Sequence, residues 1–169
     1  MEHAIKIRSA AIGDYDQLCA LWDCVDDLHR DALPALFRVP PEPPRKRELV
    51  ERQTVGPDST ILVAETAGQV VGTVTMLLRR MPESSIRHAR QFAEIDMLAV
   101  APIYRRRGIG RRLIDAGFAW ATGQGTDCIE VVVFEFNDAA AGLYRSAGFQ
   151  TSLRRLTIFP SRENAKVVK

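Results

Sequence analysis

Histidine and cysteine are scarce in this chain. Its 169 residues hold histidine only at positions 3, 29 and 88 and cysteine only at 19, 24 and 128. No Cys-x-x-Cys pair occurs and no histidine stands at ligand spacing from a cysteine, so no metal is expected. An odd number of thiols argues against a disulfide framework and for buried free cysteines. Long apolar runs are missing too. Nothing nears the roughly 18 apolar residues of a membrane helix, and the opening MEHAIKIRSA has no apolar signal core, so a cytoplasmic protein without a membrane partner is expected. Neither sign of charge dominates, since 23 Lys and Arg against 21 Asp and Glu leave +2. With 46% apolar residues, the length suits one packed domain over 1–169, with a polar tail from about 161.

Against that even balance, one stretch is locally basic. Arg105, Arg106, Arg107, Arg111 and Arg112 fall within eight residues, where 23 basic residues in 169 predict about one. The loop follows an apolar strand-like run and opens into an amphipathic helix, Gly108 to Ala121. The first turn of a helix has amides without internal partners and carries partial positive charge, so this point suits a phosphate. Gly108 and Gly110 let an anion approach the backbone closely. Two familiar glycine motifs fail: Gly108-Ile109-Gly110 lacks the third glycine and the ribose-binding acid of the dinucleotide fingerprint, and no Gly-Lys-Ser/Thr follows for a P-loop. Nucleic-acid binding through the arginines is disfavoured, because the charge is confined to one loop without interleaved aromatics.

What remains is Arg105-x-x-Gly108-x-Gly110 after a strand reading Leu98-x-Val100-x-Pro102-x-Tyr104. Here the sequence resembles the GNAT superfamily of acetyl-CoA-dependent N-acetyltransferases, over about Phe92 to Phe149. The resemblance implies that Arg105, Arg106, Arg107, Gly108, Ile109, Gly110 and Arg111 hold the coenzyme A pyrophosphate. It also implies that the backbone of Leu98, Ala99 and Val100 pairs with the pantetheine arm, with a strand bulge near Leu98 freeing an amide for the oxyanion.

Along the chain, alternation over Ala4 to Arg8 predicts a first strand. Leu18, Leu21, Trp22, Val25 and Leu28 form the apolar stripe of a helix starting near Asp14. Five prolines at 34, 40, 41, 43 and 44 make Leu33 to Arg47 a loop, in which Phe37 could wall a pocket. A second helix is expected from Pro44 or Arg45 to Gln53. Thr60 to Glu65 and Gln69 to Leu78 read as a hairpin through Ala67-Gly68. Phe92 to Val100 is the fourth strand. Cys128 to Phe134, nearly all apolar, reads as a fifth strand covered on both faces. A helix from Asp138 to Ala147 capped by Gly148 and a final strand from Leu153 to Phe159 complete an α/β (mixed α+β) order similar to the GNAT fold. That fold implies a mixed, mostly antiparallel sheet with helices on both faces and splayed parallel strands 4 and 5.

The chemistry follows from the same segment. Phe92-Ala93-Glu94-Ile95 resembles the strand that carries the catalytic glutamate of histone acetyltransferases, so Glu94 is the first candidate base. Asp96 shares its face by alternation and is the fallback base or an ammonium ligand. Proton transfer from an alkylammonium near pKa 10.4 to a carboxylate near 4.3 is uphill by about 8 kcal/mol, so a raised carboxyl pKa, a water relay or capture of the neutral amine is required. Asn137 and Tyr144 project on one helix face with Ala140 and Ala141 between them. The resemblance gives Tyr144 the role of acid toward the departing thiolate and Asn137 a cofactor contact; the plainer reading is an N-cap and a core ring. Asp26 and His29, in the charged end of the first helix, are candidate acceptor contacts.

The expected reaction is direct acetyl transfer from acetyl-CoA to a primary amine through a tetrahedral intermediate, since no Cys-His or Ser-His pair suggests a covalent one. A non-catalytic CoA-binding regulatory module and a protein N-terminal or lysine acetyltransferase are the alternatives. A homodimer is a possible assembly.

Overall fold

The computed structural model describes residues 4–40 and 45–157. β1 (Lys6–Ser9) leads through a 3-10 turn (Ile12–Asp14) into α1 (Tyr15–Ala32), and a loop leads to α2 (Arg47–Val55). β2 (Ser59–Thr66), β3 (Gln69–Met81) and β4 (Arg90–Val100) follow as consecutive strands. A 3-10 turn (Pro102–Tyr104), α3 (Ile109–Gly123), β5 (Ile129–Val131) and α4 (Asp138–Ser146) complete the described elements. The sheet has the order β1-β2-β3-β4-β5, antiparallel throughout except between β4 and β5, which run parallel.

Each face of the sheet carries its own core. Ile61, Val63, Val70 and Ala99 pack with Leu18, Leu21 and Trp22 of α1 and Val50 of α2. Leu62, Ala64, Val74, Met76, Ala93 and Ile95 pack on the other face with Ile109, Leu113, Ile114 and Ala121 of α3 and Tyr144 of α4. Alternation along β2 and β4 therefore feeds both cores, which is why β2 reads as an unbroken apolar run over Ile61, Leu62, Val63 and Ala64. The α1 stripe is buried through Trp22, but Leu28 is exposed beyond it. Gly117 lets α3 sit directly on the sheet, for a Cβ there would come within 2.9 Å of Met76 Sδ.

Loops are pinned by specific bonds. Arg8 donates to Asp14 (2.7 Å) and to Glu65 (2.6 Å), tying β1, the first turn and β2 together. Asp14 also accepts from the Ala11 amide at 2.7 Å. The Arg8 guanidinium holds the largely buried Asp14 carboxyl below its ordinary range, against the opposing effect of burial. Arg112 donates to the Ile5 carbonyl at 2.8 Å, joining α3 to the chain start.

Several expectations need correction, the buried cysteines first: Cys19 is half-buried and Cys24 and Cys128 are exposed. The fifth strand is not the seven-residue run Cys128 to Phe134; it spans Ile129–Val131, and Val132 is 80% exposed. Among the described strands it lies at the sheet edge, and it is half-buried where cover on both faces was expected. The expected final strand Leu153 to Phe159 is absent over its described part, as Thr151–Thr157 is irregular and exposed throughout, while 158 and 159 lie outside the described residues. A strand forms only where a partner edge takes its hydrogen bonds, and no described strand lies beyond β5. Among the prolines, 41, 43 and 44 also lie outside the described residues, and the second helix starts at Arg47. The tail from about 161 is outside them as well.

Candidate functional site

The strand-to-helix junction after β4 takes its shape from two left-handed residues. Arg106 has φ +62° and Gly108, the N-cap of α3, has φ +76°. No side chain caps this helix, so its leading amides are not claimed by a neighbouring hydroxyl or carboxylate. Arg105 donates to the Val100 carbonyl at 3.0 Å, folding the loop back on the end of β4. Arg107 lies over the Tyr104 ring at 5.5 Å. The two glycines have different reasons. Space around a Cβ at Gly108 is open and its backbone angle is the constraint, whereas a Cβ at Gly110 would stand 2.9 Å from Leu143 Cδ2 of α4. Gly110 thus brings α3 and α4 together beside the junction. Arg111 serves the same join, with its guanidinium on Asp115 (2.8 Å) and on the Ser146 carbonyl (3.0 Å). The basic cluster divides accordingly: Arg111 and Arg112 bind other helical and strand groups, and Arg105 to Arg107 stay at the junction.

β4 and β5 share only a short ladder, Ala93 to Ile129 through Ile95 to Val131, and then part. Beyond that point β4 continues to Val100 on the β3 side alone. The wedge between the strands is a cleft of about 80 Å³ lined by Ile95–Leu98, Val131–Phe134, Val25, His29, Asn137, Ala140 and Tyr144. A larger recess of about 360 Å³ lies along the outer edge of β5, lined by Phe118, Ile129 and Phe149 among others. The smaller space is the functional candidate, because only there do titratable groups converge at the carboxyl end of the parallel strands, next to the helix N-terminus.

The β4 pairing has an irregularity that sets which side chains meet there. Thr75 faces Met97 while Met76 faces Ile95, leaving Asp96 as the extra residue of a bulge. The bulge lies two residues before Leu98, where it was expected. Ala93 and Ile95 belong to the α3 core, so Glu94 projects toward α1, and the bulge turns both Asp96 and Met97 that way before Leu98 and Val100 return to the α3 side. Alternation without the bulge would have sent Leu98 and Val100 to the α1 side with the acids.

The two acids differ in their surroundings. Glu94 accepts from Arg79 of the neighbouring strand at 2.7 Å, a half-exposed pair. Asp96 has no ion-pair partner among the described residues. Burial pushes the Asp96 carboxyl up and the nearby Glu94 charge adds to the rise, with Arg79 and Arg45 partly opposing it. Water still reaches the residue from the cleft, yet the walls around it remove much of a free carboxylate's hydration. A raised carboxyl narrows the gap to an ammonium, which makes Asp96 a candidate to accept a proton.

Tyr144 enters from the opposite side. It is 7% exposed, its ring packs edge-on against Phe149 at 5.4 Å, and burial pushes its hydroxyl up to about 12. No protein group holds that hydroxyl among the described residues, so it is free to donate into the cleft it lines. Asn137 caps α4, accepting from the Ala140 amide at 3.1 Å, and also lines the cleft.

The expected acceptor contacts separate. His29 lines the cleft, whereas Asp26 is committed to Arg45 at 2.8 Å. Sequence reasoning did not single out Phe134 and Phe136, whose rings close on His29 at 5.3 and 5.6 Å. The signal was the apolar alternation Phe134-Glu135-Phe136 directly before the cap Asn137, which had been divided between a strand and a loop. Among the described residues no group of His, Cys, Asp and Glu is placed to hold a metal ion, and no helix is long and apolar enough to cross a membrane.

Comparison with known proteins meets this geometry from outside. The family model described as "Acetyltransferase (GNAT) family" matches residues 22–149. The chain is 36% identical over 106 residues to the N-alpha-acetyltransferase RimI of Mycobacterium tuberculosis, covering 62% of this chain and 61% of that one. It is 33% identical over 104 residues to the rat N-acetyltransferase family 8 member 3, covering 62% of this chain and 44% of that one. The match therefore spans about half the length of these curated relatives. A crystal structure of a mutant BH1408 protein from Bacillus halodurans superposes with a TM-score of 0.86 at 26% identity, over 90% of this chain and 98% of that one.

Proposed function

Since the chain belongs to the GNAT acetyltransferase family, whose model covers most of its length, we propose that it transfers the acetyl group of acetyl-CoA to a primary amine. The observation that carries this reading is the convergence of Asp96 and Tyr144 on one cleft from opposite faces of the sheet, where β4 and β5 part.

In this reading the diphosphate of the carrier lies at the N-terminus of α3, held by the amides of Gly108, Ile109, Gly110 and Arg111 and by the guanidinium groups of Arg105, Arg106 and Arg107. The β4 backbone of Leu98, Ala99 and Val100, which lacks a β5 partner, takes the amide-bearing arm as an added strand would. Asn137 borders the same path. The acceptor nitrogen attacks the thioester carbonyl carbon, giving a tetrahedral intermediate; the C–S bond then breaks and the thiolate leaves. Asp96, directly or through water, takes the proton that the nitrogen loses, and Glu94 with Arg79 sets the field beside it. The Tyr144 hydroxyl donates a hydrogen bond to the departing sulfur. With its pKa near 12 against roughly 8.5 for a thiol, full proton transfer would be uphill by about 5 kcal/mol, so hydrogen bonding is the larger part of its role.

A homodimer and a cytoplasmic location belong to the same reading, as does a single domain over 1–169. Calorimetric titration with acetyl-CoA, followed by thiol-release assays with an amine panel, tests it. Binding together with amine-dependent thiol release is expected. Binding without release for any amine would favour a CoA-sensing module, and no binding would overturn the assignment.

A further inference from the structure

The cleft has an unused feature on its α1 side, a box of rings brought from separate parts of the chain. His29 of α1 packs against Phe37 of the following loop at 5.2 Å, and Phe37 packs against Phe134 at 5.5 Å. Phe134 and Phe136 stack at 5.9 Å on the segment between β5 and α4. The box is not a sealed core, since Phe134 is 36% exposed and, with His29, forms part of the cleft wall. His29 is oriented within it. Its Nδ1 lies 2.8 Å from the Val25 carbonyl, an oxygen that can only accept, so Nδ1 carries the proton and Nε2 keeps its lone pair for a donor while the ring is neutral.

The charges around the box set the number of cations it can take. Glu94 is paired with Arg79, Asp26 with Arg45 and Asp27 with Arg30, each at 2.6 to 2.8 Å. Each of those acids already has a guanidinium partner. Asp96 is the acid that lines the cleft and lacks such a partner among the described residues, so the site presents one carboxylate beside an apolar, ring-lined wall.

We infer that the acceptor is a monoamine carried on a flat apolar body, an arylalkylamine, whose ring lies against Phe134, backed by Phe37 and Phe136, while its nitrogen reaches Asp96 and His29 Nε2. This rests on the amine-acetylating reading and narrows it. A polyamine or an amino sugar would bring several cations to a cleft lined by one carboxylate, and its hydroxyl or ammonium groups would lose water against phenyl rings without recovering hydrogen bonds. An arylalkylamine loses apolar surface to water nowhere and gains ring contacts.

The test compares 2-phenylethylamine with ethylamine, spermidine and kanamycin, by thiol release and by calorimetric titration of each amine into the protein with and without CoA. Phenylethylamine should exceed each of the others by about tenfold or more in kcat/KM, the equivalent of about 1.4 kcal/mol. Phe134→Ala should remove most of that preference by raising KM, and Phe134→Leu, which keeps the apolar volume, should lie between. Acetyl-CoA affinity should hold in both variants. Preference for spermidine or kanamycin, or an equal loss for every amine in Phe134→Ala, overturns the inference while leaving the acetyltransferase reading intact. Phenylethylamine binding that is lost in Phe134→Ala supports the box even if turnover is absent, whereas failure to bind acetyl-CoA defeats the broader reading alone.

Discussion

Tyr144→Phe removes one oxygen from a buried position and leaves the packing in place. The ring is what meets Phe149 and the α3 core, and phenylalanine supplies the same ring. The hydroxyl makes no bond to another described residue, so deleting it orphans no partner and should shift the melting temperature by only a few degrees. Its loss should instead appear where negative charge develops on the departing sulfur. A hydrogen bond to a charged group contributes about 1.5–3 kcal/mol, which corresponds to a fall in kcat of roughly 10- to 150-fold. KM for acetyl-CoA should change little, because the neutral thioester sulfur is a weak acceptor. The pH profile gives a second measure. With its hydroxyl pushed up to about 12, Tyr144 stays a donor across the working range, so the wild-type rate should show no alkaline loss from this group below about pH 10. Steady-state thiol release from pH 6 to 10 for both proteins, beside thermal melts, reads all of this. An unchanged kcat in a folded Tyr144→Phe variant would refute the role.

The remaining expectations concern the acids and the packing. Asp96→Asn should lower kcat/KM without loss of stability: a carboxyl whose folded pKa is raised favours its neutral form, so at neutral pH its ionised form opposes folding, and a denaturant midpoint below wild type would contradict this. Asp14→Asn should cost about 2 kcal/mol at neutral pH, because Arg8 and the Ala11 amide both lose a charged acceptor. Asp14 has a depressed folded pKa, so its contribution is fully present above the ordinary carboxylate value and fades as pH falls through the lower folded one; urea midpoints of the two proteins should begin to converge only below about pH 4 and stay apart at pH 7. Gly117→Ala should cost about 1–3 kcal/mol through the clash with the fully buried Met76, and Met76→Ala in the same background should recover less than full stability because it opens a cavity.

Much of the architecture could be read directly from residue order, for local reasons. The stripe Leu18, Leu21, Trp22 fixed α1 because three- and four-residue spacing places those side chains on one helical face. Ala67 and Gly68, both at positive φ, mark the hairpin between β2 and β3, and Gly108 marks the start of α3 by the same backbone demand. The misses also have a physical cause. The described part of the expected final strand, Leu153 to Thr157, is irregular because a strand exists only if another edge accepts it, and that depends on where β5 ends. Gly110 looked like a place for an anion to approach and proved also to be the contact point of two helices, since nothing in the local sequence announces Leu143.

The sequence by itself determined the helix and strand periods, the glycine-started helix after an arginine loop, and the acids and tyrosine at their familiar spacing, because each depends on neighbours within a few positions. Tertiary structure alone decided that β4 bulges at Asp96, that Arg79 takes Glu94 and Arg45 takes Asp26, and that Phe37, Phe134 and Phe136 enclose His29. Those outcomes depend on strand register and on the meeting of segments from 15 residues apart, for Arg79 and Glu94, to more than a hundred, for His29 and Phe134, and such meetings leave no mark in local periodicity.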